Sequence, residues 1–380
     1  MLTNNESQVQ DNQPEDSEAQ EDHNRITELS QKGYQLLKEN LTERAADCFS
    51  TILAQEPSNN YALVGLGDVY RKERRYHEAI NHYQKCLTYH RGNNYALFGL
   101  ADCYKALKQF NRAIDIWEEY LHHDDKNITV LTRIADAYRK VRDFNRSKEL
   151  YLKVLEMEEN NSYALIGLGH LHYDFKEYEG ALDYWTRMLN LTRTRVDIRV
   201  LTSIGNCHRK MKTFDEGVSY FQQALDIQPN NFYALFGLAD CYRGMNQQSK
   251  SLIYWNKILD NDRKNKVILT RAGDAYRHMG DLEKAESYYN HALNIEYDHY
   301  AVMGLALINR DRGHFDDAIA SLNKLITCDP KNCRFTMECA SCYGQIGQKD
   351  KAIKVLSNYL NQGVKNNKVV SEITRLKAGA

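Results

Sequence analysis

Four cysteines near the carboxyl end are the residues best suited to metal chemistry. Cys328, Cys333, Cys339 and Cys342 lie within fifteen residues, and four thiolates at such spacing can bind zinc tetrahedrally. A structural role is favoured instead, because Cys342 occupies the same place in a repeated pattern as three other cysteines, where a small apolar side chain recurs. We therefore expect no metal and no cofactor.

The short motifs of common enzyme classes are also missing from the sequence. The segment GQIGQK at 344–349 lacks the GxxxxGK spacing of a phosphate-binding loop, and neither HExxH nor GxSxG occurs. The run HHDD at 122–125 could bind a metal, but a polar turn between helices explains it better. We therefore expect a protein that is not an enzyme.

Charge and hydropathy argue against two further classes of protein. Lys and Arg total 50 against 51 Asp and Glu, a balance unlike that of proteins that mainly neutralise nucleic-acid phosphates. No apolar stretch approaches the ~18 residues of a membrane-spanning helix, and no secretory signal is visible at the amino terminus. Nine cysteines, an odd number placed singly, suit a reducing compartment. These features predict a cytoplasmic protein without nucleic-acid binding or membrane insertion.

The amino-terminal segment differs in composition from the rest of the chain. Residues 1–24 contain seven acidic residues and neither Lys nor Arg, which is typical of disorder. We predict an acidic disordered tail at 1–25. The remaining chain has 44 acidic residues against 50 basic ones, so the tail and the body carry opposite charge.

An internal repeat determines the architecture. NNYALFGLADCYK at 93–105 recurs as NFYALFGLADCYR at 231–243, and weaker copies follow a step of 34 residues. One small residue, which we number position 8, marks the ten copies: Gly33, Gly67, Ala101, Ala135, Gly169, Gly205, Ala239, Gly273, Ala306 and Ala340. The repeats are predicted to cover 26–361, and residues 362–380 are predicted to form a helix that caps the last of them.

Each copy has the pattern of two amphipathic helices, A and B. In the second copy, Gly67 on helix A is followed by Ala79 early in helix B and by the bulky Tyr83 four residues later. Small residues let paired backbones approach closely, and the aromatic ring fills the space beside them. This pattern resembles the tetratricopeptide repeat family. The resemblance implies an all-α fold, a right-handed superhelical α-solenoid of helix-turn-helix repeats.

The resemblance also implies that one face of the A helices lines a concave binding groove, at positions 2, 5, 9 and 12. Position 2 carries tyrosine in five copies: Tyr61, Tyr95, Tyr163, Tyr233 and Tyr300. Position 5 contributes apolar groups: Phe98, Ile166 and Phe236. Position 9 is mostly acidic: Asp68, Asp102, Asp136, Asp240 and Asp274. Position 12 is basic: Arg71, Lys105, Arg139, Arg209, Arg243 and Arg277. The simpler alternative is that each acid and the base three residues later form an intrahelical pair on a solvated face.

The apolar residues at position 5 favour a binding role over a purely solvated face. We expect Phe98 and Phe236 to be exposed anchors of two similar patches in the third and seventh repeats. An unpaired aspartate column would repel carboxylates and phosphates, which argues against binding of acidic chaperone tails and RNA. The predicted function is a scaffold or adaptor that binds a partner peptide or helix. A substrate-selecting regulatory subunit of another enzyme and a structural protein that self-assembles through its end helices are the alternatives.

Overall fold

The structure is a computed structural model that describes residues 14–191 and 196–378, with side chains described from residue 24 onward. Its described residues form 21 α-helices and no strand. The chain divides into two compact units, Met1–Leu191 and Thr192–Ala380. The predicted all-α class and the predicted pairing of helices into helix-turn-helix repeats are both confirmed.

Odd-numbered helices are the A helices, and even-numbered helices are the B helices. The first unit contains α1 (Pro14–Lys38), α2 (Thr42–Gln55), α3 (Asn60–Lys72), α4 (Tyr76–Tyr89), α5 (Asn94–Ala106), α6 (Phe110–Leu121), α7 (Ile128–Lys140), α8 (Phe144–Met157), α9 (Ser162–Asp174) and α10 (Tyr178–Leu191). The second unit contains α11 (Ile198–Met211), α12 (Phe214–Ile227), α13 (Phe232–Gly244), α14 (Gln248–Asn261), α15 (Lys266–His278), α16 (Leu282–Ile295), α17 (His299–Asp311), α18 (Phe315–Cys328), α19 (Cys333–Gln345), α20 (Lys349–Leu360) and α21 (Asn367–Ala378). In the last of these, Val369 and Leu376 are buried against apolar residues of α20.

The first helix begins inside the segment that composition predicted to be disordered. Residues 14–25 belong to α1, whereas residues 1–13 lie outside the described part of the chain. Pro14 suits the first position of a helix, and the Glu, Ala and Gln that follow have high helix propensity. Acidic groups near a helix amino terminus are also stabilised by its dipole. The prediction of an acidic disordered tail at 1–25 rested on overall composition, which does not include these local helix preferences.

Asparagine side chains start the A helices of the first unit. Asn59, Asn93, Asn127 and Asn161 each accept a hydrogen bond from the backbone N–H three residues later, at 2.9–3.1 Å. Three of these residues also donate through Nδ2 to an acidic side chain of the preceding turn. Satisfying these helix-end donors stabilises a helix by about 1 kcal/mol. These asparagine-containing turns therefore end one repeat and start the helix of the next.

Glycine is required on two helices for one aromatic ring to fit. Tyr83 of α4 is fully buried between Gly67 of α3 and Gly99 of α5. A Cβ atom added at Gly67 would lie 2.5 Å from the Tyr83 ring, and one added at Gly99 would lie 2.3 Å from it. The glycine series at position 8 was visible in the sequence. The second series, at position 6, contacts the ring from the next repeat: Gly65, Gly99, Gly167, Gly237 and Gly304.

The turns from helix A to helix B pass through one residue in the left-handed conformation. Lys212 has φ of 67° and Gly280 has φ of 83° at equivalent positions. A non-glycine residue in the left-handed conformation lowers stability by about 1–2 kcal/mol. Glycine avoids this strain, but part of the gain is lost because glycine has a larger conformational entropy in the unfolded state. We predict that Lys212→Gly raises the free energy of unfolding by about 0.5–1 kcal/mol, measured by urea denaturation.

The reverse change provides the control for this prediction. The space around Gly280 is open, with nothing within 4 Å of an added Cβ, so Gly280→Ala introduces backbone strain without a clash. It should lower stability by about 1 kcal/mol. Equal effects of the same sign in both variants would contradict this account of the turn.

Candidate protein-binding face

The tyrosines at position 2 are exposed in both units. In the first unit the exposed fractions are 61% for Tyr61, 79% for Tyr95 and 78% for Tyr163, and in the second Tyr233 and Tyr300 are also exposed. We call the three tyrosines of the first unit the tyrosine column. Each of the five tyrosines is the second residue of an A helix and lies two residues after the residue that caps it. The helix ends therefore present large amphipathic rings to solvent, as the sequence predicted.

Two tyrosines of the column line a cavity between α1, α3 and α5. This cavity of about 620 Å³ is bounded by Tyr34, Tyr61, Tyr95, Val64 and Asp68, and also by side-chain amides. The amide groups come from Gln31, Gln35, Asn60 and Asn93. Tyr34 is fixed because its hydroxyl donates to the Tyr61 carbonyl oxygen at 3.0 Å. Aromatic surface and hydrogen-bonding groups thus meet in one concave site.

A second cavity lies between α5, α7 and α9. Its volume is about 550 Å³, and its lining includes Lys105, Arg133, Asp136, Tyr163 and Ile166. Tyr151 of α8 also lines this cavity, and its ring packs so closely on Gly167 that an added Cβ would lie 2.3 Å away. Predicted site residues at positions 2, 5, 9 and 12 are therefore brought together here.

The phenylalanines at position 5 are half-buried, so the prediction that they are exposed anchors is wrong. Phe98 packs against the core around Trp117, and the Arg133 guanidinium lies 4.8 Å from its ring centroid. Phe236 packs edge-on against Trp255 at 5.2 Å. Both rings close the space between A and B helices, so their loss would reduce stability as well as binding. The exposed aromatic surface belongs to the tyrosine column instead.

Ion pairs in the first unit connect acids and bases of successive repeats. Arg71 binds Asp68 of its own helix at 2.8 Å and Asp102 of the next A helix at 3.5 Å, and Arg133 binds Asp102 at 2.5 Å. Further along, Lys105 lies 3.7 Å from Asp136, and Arg139 binds both Asp136 and Asp174. We call this set the charge ladder. Its members bridge neighbouring A helices, which the intrahelical alternative did not include.

The second unit repeats the charge ladder with other partners. Asp240 accepts from Arg209 at 2.7 Å and from Arg243 at 2.7 Å. Further on, the Tyr289 hydroxyl donates to Asp274 at 2.7 Å, and Arg277 binds Asp311 at 2.8 Å. Only some position-9 acids therefore pair with the base three residues later.

The environment of each ladder acid sets its pKa. Burial raises the pKa of the Asp102 carboxyl, and the nearby arginines only partly oppose this. Burial acts in the same direction on Asp240, but Arg243 and Arg209 together hold its pKa below the ordinary value. The Asp240 carboxylate therefore stabilises the folded state at pH values above its unfolded pKa, near ~3.9. This contribution to the free energy of unfolding is lost as the pH falls through the lower folded pKa.

The charge ladder changes one argument drawn from the sequence. The expectation that position-9 aspartates repel anionic ligands assumed unpaired carboxylates. Asp68, Asp102, Asp136 and Asp240 each have a cationic partner within 3.7 Å. The face is therefore close to neutral, and its aspartates do not by themselves exclude a ligand class.

The cysteines near the carboxyl end occupy separate environments. Cys339 and Cys342 are buried, whereas Cys328 is exposed. Burial raises the pKa of the Cys339 thiol to about 12, which disfavours the thiolate that zinc requires. Among the described residues, no group of three His, Cys, Asp or Glu side chains is placed to hold a metal ion.

Family comparison decides the assignment of the repeats. Tetratricopeptide repeat models match residues 31–85, 70–136, 132–190, 198–231, 220–252 and 268–299. The chain belongs to the tetratricopeptide repeat family. Proteins with this repeat are typically interaction scaffolds, and the described tetratricopeptide repeats contain no helix long and apolar enough to span a membrane.

Several solved structures of tetratricopeptide repeat proteins resemble this chain. PilF of Pseudomonas aeruginosa is 19% identical, with 56% of this chain and 96% of that one covered at a TM-score of 0.47. YrrB, described as having an unusual peptide-binding site, is 19% identical over 49% of this chain and 95% of its own, with a TM-score of 0.42. A protein from Parabacteroides merdae is 18% identical over 75% and 99%, with a TM-score of 0.41. No curated protein matches the chain.

Proposed function

We propose that this protein is a non-enzymatic scaffold that binds an extended segment or a helix of a partner protein along the tyrosine column. The observation that carries the proposal is the exposure of Tyr61, Tyr95 and Tyr163 beside two cavities of the first unit. Large rings exposed in a row are unusual for a surface without a partner. Tyrosine is also enriched among the residues that dominate binding energy.

The cavities add specificity to the exposed rings. Their volumes fall within the range of ~300–1,000 Å³ that is typical of ligand sites. The amides of Asn60, Asn93 and Gln31 stand beside the rings of the first cavity, where they can donate to and accept from an extended backbone. Rings would supply apolar contact, and amides would fix the register of the bound segment.

The charge ladder supports binding by holding the A helices in place. Each bridge joins two helices, so the rings at their ends keep a constant separation without a ligand. A face organised in advance loses less conformational entropy on binding. We expect the partner to contact the rings and amides, and to leave the ion pairs intact.

Replacing the three exposed tyrosines tests the proposal. We predict that Tyr61→Ala, Tyr95→Ala and Tyr163→Ala together weaken binding of the native partner by at least about 30-fold, as expected when hot-spot rings are lost. Partners are identified by affinity purification from the native cell and mass spectrometry, and affinities are then measured by titration. Stability should change by less than about 0.5 kcal/mol per site, because the rings are exposed.

Tyr89, the exposed last residue of α4, provides a matched control that does not line either cavity. Its replacement by alanine should leave affinity unchanged. Retained binding by the triple variant, with loss in the Tyr89 variant, would show that the partner uses another face.

A further inference from the structure

The turns from helix A to helix B form a strongly basic surface in repeats two to four. Within 72–78, 105–112 and 139–148 the acids are Glu73, Glu78 and Asp143. We call the exposed cations of these segments the basic edge: Lys72, Arg74, Arg75, Lys108, Arg112, Lys140, Arg142 and Arg146. This surface is separate from the tyrosine column, which lies at the opposite ends of the same A helices.

Contacts between repeats show that these turns lie side by side. The Lys72 ammonium donates to the carbonyl oxygen of Leu37, at the end of the preceding A helix. The Arg142 guanidinium donates at 2.9 Å to the carbonyl oxygen of Asp174, at the end of the following A helix. These two turns therefore touch the corresponding ends of the adjoining repeats. The ion pairs from Arg71 to Asp102 and from Lys105 to Asp136 place the last turns of α3, α5 and α7, which carry the basic edge, side by side.

The acids on this edge neutralise few of the cations. Glu73 and Glu78 both pair with Arg75, at 3.3 Å and 3.1 Å. Asp143 caps α8 through the Arg146 backbone N–H and lies 3.9 Å from the Arg146 guanidinium. The ion pairs that the described residues form on this edge involve only these two of its eight cations.

Three cations of the basic edge adopt the left-handed backbone conformation. Arg74, Lys108 and Arg142 occupy the left-handed turn position, with φ of 62°, 60° and 69°. Equivalent turns elsewhere in the chain use Lys176, Lys212 and Asn246 as well as Gly280, Gly313 and Gly347. A left-handed Lys or Arg costs about 1–2 kcal/mol, and a cation at a helix carboxyl end regains only about 0.3–1 kcal/mol.

We propose that the basic edge binds an Asp- and Glu-rich extended segment of a partner protein. Arginine guanidinium groups bind carboxylates through two parallel hydrogen bonds, which suits such a ligand. The rings on this edge are covered: Arg75 lies over Tyr70, Arg112 over Tyr104 and Arg146 over Tyr138, at 4.5–5.6 Å. Because single-stranded nucleic acids bind largely by stacking bases on open rings, an acidic peptide fits this edge better than RNA or single-stranded DNA.

A charge-matched pair of variants tests this proposal in the full chain. The probes are a fluorescent peptide of alternating Glu and Asp and a fluorescent oligothymidylate, followed by anisotropy at low and physiological salt. The peptide should bind at low salt and weaken as salt rises. Arg74→Asn, Lys108→Asn and Arg142→Asn together should weaken peptide binding at least about tenfold, while folding persists because Asn tolerates the left-handed conformation.

The control removes the same charge elsewhere. Lys32, Lys85 and Lys126 are exposed and lie outside the basic edge, so their replacement by Asn should change peptide affinity less than about twofold. Equal losses of peptide affinity in the two triple variants would show that the effect depends only on net charge, and would overturn the proposal. Failure of the peptide to bind at low salt would also overturn it. Tighter binding of the oligothymidylate would assign the edge to nucleic acid instead.

Discussion

Tyr83→Ala is expected to lower the free energy of unfolding by about 3–5 kcal/mol, as for other fully buried aromatic rings. The ring is enclosed by Gly67 and Gly99, and neither neighbour has a side chain that could move into the space. The cavity would therefore persist instead of collapsing. Hydrogen exchange should show the loss of protection in α3, α4 and α5 before more distant helices, because each repeat contacts mainly its neighbours.

Tyr83→Phe separates the contribution of the ring to stability from that of its hydroxyl group. The hydroxyl donates to Asp68 at 2.8 Å and accepts from Arg71 at 3.1 Å, so this variant should lose only about 1–2 kcal/mol. Denaturant unfolding of both variants checks the comparison. Similar losses in the two variants, or a uniform loss of protection along the chain, would contradict the packing described for the repeat.

Asp240→Lys is expected to cost about 3–5 kcal/mol, because it removes the carboxylate that two arginines share and adds a third cation. Asp240 is only 8% exposed and is held at 2.7 Å from both Arg209 and Arg243. The sequence places Asp102 and Asp240 on the predicted groove face, where charge reversal would be expected to change partner preference more than stability. The structure indicates the opposite order of effects, because these acids connect A helices.

An exposed aspartate of the same unit provides the control for charge reversal. Asp226 lies near the end of α12 and faces solvent, so Asp226→Lys should change stability by no more than about 0.5 kcal/mol. Thermal and urea denaturation of the two variants are compared. If Asp240→Lys is no more destabilising than Asp226→Lys, the charge ladder does not hold the repeats together.

Much of the repeat could be predicted from local sequence. Position 8 needs a small residue because a ring packs on it, and this requirement repeats every 34 residues whatever the neighbours are. The exposure of the tyrosine column was predictable for the same reason, since helix periodicity places position 2 away from the core stripe. Each of these features depends on one helix or one hairpin.

Features that depend on two successive repeats were missed. The glycines at position 6 are required because a ring of the preceding repeat packs on them. The need for glycine at Gly99, for example, follows only from its contact with Tyr83. Lys105 pairs with Asp136 of the next A helix, whereas the intrahelical alternative would pair it with the acid three residues earlier on its own helix. The half-burial of Phe98 likewise follows from the Arg133 side chain above it. Tyr151 was missed because it lies on a B helix, and Tyr34 was missed because it stands in place of the usual acid at position 9 of the first repeat.

Site-specific photo-cross-linking tests the central claim most directly. Tyr95 and Tyr89 are both exposed tyrosines of the first unit, and each can be replaced by a photoreactive phenylalanine analogue of similar size. We predict that irradiation in the native cell joins a partner protein to the chain at position 95 and not at position 89. Cross-linking of that partner at position 89 without any at position 95 would contradict binding along the tyrosine column.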